Sequence, residues 1–175
     1  MSKSKVISTD DILATLCHSV TGVLSSASGN EISYSAMVQK ITRTCMRPDI
    51  GCFVLFDGGF TGLVVTNFTS QAAMEIYGDY MRNMGMPEEE IAHSHLSDDV
   101  SNVMGELMNQ IVGDFTSKVR EQLHTSITQN QPKMMAINKQ VQISVDTTMD
   151  RPQARRVTFT TRNQNIFYLE LAMDK

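Results

Sequence analysis

The sequence predicts an α+β fold, a pseudo-twofold repeat in which each half contributes one long helix and a set of antiparallel strands. Three observations predict it. "TDDILATLCHSVTGVL" and "SDDVSNVMGELMNQIVG" both open on acids and then carry apolar residues at helical spacing. "CFVLFDGGFTGLVVTNF" is two β-rich runs around Asp57, Gly58 and Gly59, the pattern of a hairpin. The two helical segments align without a gap, Asp11 over Asp99, and each is followed eventually by a β hairpin. With 175 residues, a single domain over 1–175 is expected, its halves at about 9–69 and 97–173.

The elements follow in order. Thr9, Asp10 and Asp11 cap and charge the start of the first helix. Ile12, Leu13, Leu16, Cys17, Val20, Val23 and Leu24 form its apolar face, and "SSASGN" ends it. "EISYSAMVQKITRTCM" fits either period, and its β-branched content favours strand. After the hairpin, "TSQAAMEIYGDYMRNMG" is a short helix begun by Thr69 or Ser70 and stopped near Gly85. Pro87 and "EEE" open a polar stretch with a helical turn. The longest helix runs from about Ser97 to Leu123. "HTSITQNQPK" reads as a loop, and "QVQISVDTT", "RRVTFTT" and "NIFYLELAM" as three strands with "RNQN" turning between the last two.

Composition bounds the function. The chain is 41% hydrophobic and 19% charged, ordinary for a globular protein. A net charge of −4 supplies no electrostatic footprint for nucleic acid or an anionic membrane. No stretch reaches the apolar length that spans a bilayer, and "MSKSKVISTDD" lacks the apolar run of a secretory signal. Cys17, Cys45 and Cys52 are odd in number and have no CxxC spacing, which fits reduced thiols in a cytoplasmic protein.

The stretch "GELMNQIVG", residues 105 to 113, raises the functional question. Each of its two glycines costs about 1 kcal/mol relative to alanine inside a helix. At about 100° per residue, Val100, Val103, Met104, Leu107, Met108, Ile111, Val112, Phe115 and Val119 share one apolar face. Asn102, Glu106, Asn109 and Gly113 gather on the other side. Gly113 follows Asn109 by one turn, so no side chain stands there beside the amide. Polar residues on an outer helix face are usual, and Gly105 could equally permit close packing against another element. A solvated face, however, has no need of the glycines.

"NVMGELMNQIVG", followed at a distance by "QNQPK", resembles the signature of the CheC/CheX/FliY phosphatases of bacterial chemotaxis. That signature is Asp or Ser, three residues, Glu, two residues, Asn, twenty-two residues, then Pro. Glu106, Asn109 and Pro132 fit it, whereas Asn102 stands where the family has Asp or Ser. "GCFVLFDGGFTGLVVTNFTSQAAMEIYGDYMRNMG" is similar to the family's strand–turn–strand and short helix, and "NIFYLELAM" to its last strand. His18 and Thr21 align with Glu106 and Asn109, so a single acid–amide pair is present, which is closer to CheX than to CheC.

The resemblance implies a CheC-like fold, a homodimer and a protein aspartyl-phosphate phosphatase acting on a phosphorylated CheY-like receiver domain. Glu106 and Asn109 would be catalytic, the amide orienting the attacking water and the acid docking on the receiver's lysine. Asn102, Gly113 and Pro132 would contact the partner. No cofactor is expected on this chain, because the Mg2+ belongs to the response regulator. The alternative is a non-catalytic module of the same fold that binds a response regulator or a flagellar-switch-type partner.

Other candidates have plainer readings. His93 and His95 lie near Asp98 and Asp99, but residues two apart do not share a helix face, so a solvated approach to the helix is expected rather than a metal site. His18 is a relic of the repeat, and His124 suits the negative end of the long helix. Cys17 belongs to the core, since it and His18 diverge on a helix. "DGGF" is a turn and not a phosphate loop, because no helix starts after it. The thirteen methionines are adaptable core.

Overall fold

A computed structural model describes residues 8–143 and 153–173. Helix α1 spans Thr9–Ser28 and is followed by the short strands β1 (Ser33–Tyr34), β2 (Gln39–Ile41) and β3 (Thr44–Met46). The hairpin β4 (Ile50–Gly58) and β5 (Gly62–Phe68) leads into α2 (Ser70–Asn83) and a 3-10 turn, Glu88–Glu90. Helix α3, Asp98–Leu123, opens the second half, with β6 (Ile127–Gln129), β7 (Met135–Ala136), β8 (Val141–Ile143), β9 (Gln153–Thr160) and β10 (Ile166–Met173) after it.

The pairings are symmetric. The main sheet runs β1-β9-β10-β5-β4-β6, with β2 also on β9 and β7 also on β4, while β3 pairs with β8. Each half sends its first two short strands to the other half's hairpin, and the β10–β5 ladder lies at the centre. This is the pseudo-twofold α+β arrangement predicted from the helix alignment.

Two corrections concern local structure. Ser8 caps α1, its hydroxyl accepting from the Asp11 amide at 3.1 Å. Thr9 is inside the helix and donates to Gln153 Oε1 at 2.9 Å. "HTSITQNQPK" is not wholly loop, because β6 forms within it by pairing Phe56 with Gln129. The three residues of β6 carry too little alternation to stand out from the polar stretch around them. Of "QVQISVDTT", the strand covers Val141–Ile143, and residues 144–148 lie outside the described residues. The other boundaries follow their signals: Thr69 caps α2, Ser97 caps α3, and Gly85 takes a φ of 84°.

The helices cover one face of the sheet. Ile50, Cys52, Val54 and Phe56 alternate inward along β4 and meet Met104, Met108, Ile111 and Phe115 of α3 in a common core. Phe115 stands edge-on to Phe56 with centroids 5.2 Å apart. Phe68, Phe167 and Phe159 stack across three strands at 4.6 and 4.9 Å. On the opposite face, Met46, Leu63 and Val65 form a smaller cluster beneath β3 and β8. Among the described residues no helix is long and apolar enough to cross a membrane.

The chain leaving α3 is fastened to the β4–β5 turn. His124 ends the helix in a left-handed conformation, and the Gly59 amide donates to the Ser126 carbonyl at 2.9 Å. Gly58 has a φ of 118°, and a Cβ there would lie 2.8 Å from that same carbonyl oxygen. Gly58→Ala therefore adds both backbone strain and a clash. A loss of about 1–3 kcal/mol is expected, read as a lower urea midpoint with an unchanged slope; an unaltered midpoint would mean that the turn is not so constrained.

Candidate functional site

The orientation of α3 follows from its apolar stripe. Val100, Met104, Leu107, Met108, Ile111, Val112, Phe115 and Val119 are buried, and Val103 is half-buried. Burying one such stripe leaves the opposite face no choice but to point outward. Asn102, Glu106, Asn109 and Gly113 are all exposed.

A segment from the second half comes up beside this face. Residues 130–134 lie between β6 and β7, which both pair with β4. Asn130 adds a side-chain tie, its Oδ1 accepting from the Leu55 amide at 2.6 Å. Within the segment burial alternates: Pro132 and Met134 are buried, Gln131 and Lys133 exposed. Pro132 and Met134 act as anchors against the protein, and Lys133 between them is exposed.

Between helix and segment lies a shallow depression of about 250 Å³, lined by Ser101, Asn102, Gly105, Glu106, Asn109, Pro132, Lys133 and Met134. It brings together Asn102, Glu106, Asn109 and Pro132, four of the five residues singled out in the sequence. Gly113 does not line it. Gly113 sits one turn beyond Asn109, and a Cβ built on it would meet nothing within 4 Å. Gly105 belongs to the wall, and its Cβ would approach Met134 Cγ only to 3.9 Å, an ordinary contact. Close packing therefore requires neither glycine.

Ser101, Lys133 and Met134 were missed in the sequence. Ser101 was legible in principle, because 101, 105 and 109 follow one another at i+4 along the helix. Lys133 gave no signal apart from its place beside Pro132. Among the described residues, none of the ion pairs includes Glu106 or Lys133. The depression thus presents one carboxylate, one ammonium and two carboxamides to whatever docks on it. A carboxylate can pair with a cation, and a carboxamide can donate and accept at once.

The aligned positions on α1 differ. His18 is exposed, 6.4 Å from the Tyr34 ring, and the Thr21 hydroxyl is turned back on the Cys17 carbonyl at 3.0 Å. His93 and His95 precede α3, and no three metal-ligating side chains come together among the described residues. Cys17, Cys45 and Cys52 are buried free thiols. Burial pushes the Cys17 thiol up to about 12 and Cys52 to about 11, the latter opposed by its contact with Thr66.

Two outcomes follow from this geometry. Because reactivity requires the thiolate, the folded protein should resist iodoacetamide near neutral pH and take up label only on unfolding; rapid labelling of Cys17 in the native state would contradict its burial. Gly113→Ala should raise stability by about 0.5–1 kcal/mol, seen as a higher melting temperature, because the added methyl meets open space.

Comparison with known proteins adds to this picture. A family model described as "Protein of unknown function (DUF3334)" matches residues 3–175, and the chain belongs to that family. No match was found among curated proteins. Among solved structures, the chain is similar to the chemotaxis protein CheX of Desulfovibrio desulfuricans, at 20% identity over 94% of this chain and 99% of that one, with a TM-score of 0.73. A CheC-like superfamily protein from Shewanella sp. PV-4 matches at 15% identity over 97% and 100% of the two chains, TM-score 0.75. A third match is CheX of Borrelia burgdorferi, in its complex with CheY, BeF3 and Mg2+, at 13% identity over 94% and 99%, TM-score 0.66. At such identities the likeness is one of fold, and the fold is the CheC-like one that the sequence implied.

Proposed function

We propose that this DUF3334 member is a CheX-like phosphatase that hydrolyses the aspartyl-phosphate of a CheY-like receiver domain. The observation that carries the reading is the depression on α3: Glu106 and Asn109 stand exposed one turn apart, with the Pro132 segment forming its other wall. A solved CheX of the same fold is described in complex with CheY, BeF3 and Mg2+.

The chemistry fits a site whose working groups are a carboxamide and a carboxylate. An acyl phosphate is already activated, and its hydrolysis mainly needs a water held in line with the leaving carboxylate. The Asn109 carboxamide orients that water by donating and accepting together. The water oxygen bonds to phosphorus, the bond to the aspartyl oxygen breaks, and the carboxylate is restored as inorganic phosphate leaves, keeping one of the water's protons and giving the other to solvent. Glu106 pairs with the receiver's active-site lysine and fixes the approach. The magnesium ion belongs to the receiver. The protein works in the cytoplasm, as a homodimer.

A second reading has a specific observation behind it. Asn102 occupies the position at which the signature has Asp or Ser, and it lines the depression. On that reading the protein binds a receiver or a flagellar-switch-type partner without hydrolysing anything.

One assay separates the two. Each receiver domain of the host is phosphorylated, and decay is followed with and without this protein. Phosphatase action predicts faster decay of at least one receiver, reduced about a hundredfold by Asn109→Ala. Binding without acceleration would favour the module. Small phosphate esters should not be turned over, since the metal and lysine come from the receiver; brisk hydrolysis of p-nitrophenyl phosphate by this protein alone would contradict the mechanism.

A further inference from the structure

We propose that Lys133 is a specificity residue that senses the phosphoryl group, making the docking surface prefer the phosphorylated receiver over the bare one. The inference rests on the receiver-docking reading and goes beyond it, because the acid–amide pair by itself explains hydrolysis but not discrimination.

Three observations carry it. Among the described residues, Lys133 is the only cationic side chain lining the depression, and Glu106 is its only acid. The two do not pair with each other, since none of the ion pairs among the described residues joins them. Lys133 is also held in place. It lies between the buried Pro132 and Met134, on a segment anchored to β4 through Ala136 opposite Ile50, Gln129 opposite Phe56, and the Asn130–Leu55 hydrogen bond. A lysine on a mobile loop would lose more conformational freedom on engaging a ligand; here the backbone is already fixed.

Charge supplies the logic. The chain carries a net charge of −4, so an added phosphoryl dianion approaching it is repelled unless a cation sits close to its path. With Glu106 directed to the receiver's lysine, Lys133 is left to meet a phosphoryl oxygen across the depression. An ammonium-to-phosphoryl hydrogen bond is charge-assisted, and its partner atom exists only in the phosphorylated receiver. The contact therefore contributes to one docked state and not to the other.

The test measures binding of a receiver with and without BeF3 and Mg2+, which mimic the phosphoryl group, to the wild-type protein, Lys133→Met and Lys133→Arg. Decay of the phosphorylated receiver is followed with the same preparations. The wild type should bind the loaded form about tenfold more tightly or better. Lys133→Met should lose most of that preference, weakening binding of the loaded form far more than that of the bare receiver, and Lys133→Arg should retain it. A Lys133→Met variant with the wild-type preference overturns the proposal while accelerated decay keeps the phosphatase reading intact. Equal loss of affinity for both forms also overturns it, since Lys133 would then serve docking in general. A wild-type protein that neither binds any host receiver nor speeds its decay sinks the docking reading itself.

Discussion

The site depends on the burial of α3. A helix of 26 residues with one apolar stripe can satisfy that stripe only by lying on the sheet, and the stripe here includes Phe115, set edge-on to Phe56. Each large side chain buried along it is worth about 1.5–3 kcal/mol, so rotating the helix to hide Glu106 and Asn109 would expose a row of such residues. The outward direction of the acid and the amide follows from hydrophobic burial before any functional argument is made. What remains local is the company they keep, which the 130–134 segment provides.

The near-symmetry of the fold makes the difference between its halves informative. Both long helices share one core with the same sheet, and the strand pairings exchange between halves. Yet the α1 positions aligned with the acid and amide hold a histidine facing Tyr34 and a threonine bonded to its own helix backbone. Thr21 has spent its hydroxyl on the Cys17 carbonyl, an ordinary fate for a helical threonine. Asn109 stays exposed. The same scaffold therefore presents an exposed acid–amide pair on one helix and a plainer surface on the other.

Much of this was legible because long periodic segments speak for themselves. The span of α3, its buried face and its exposed face came directly from residue spacing, with Ser97 at the start as its N-cap. The Asp57-Gly58-Gly59 turn was equally plain, and the φ of Gly58 gives its reason. The cap at Ser8 was misplaced by one residue, because serine, threonine and aspartate succeed each other there and each can cap. The short strands β6 and β7 escaped because they exist through pairing with β4 and not through local pattern. Lys133 escaped for a related reason: nothing about a lysine after a proline says that the chain will return to α3. Its place at the depression is set by β6 and β7 on β4, which is tertiary information.

The most direct test is a crystal structure of this protein with a BeF3-loaded, Mg2+-bound receiver domain from its own host. The account predicts that the receiver's cleft sits over the second long helix, with the Glu106 carboxylate at the receiver's lysine and the Asn109 carboxamide beside the phosphoryl mimic. A complex in which the cleft rests on another surface, leaving those two side chains in solvent, would contradict it.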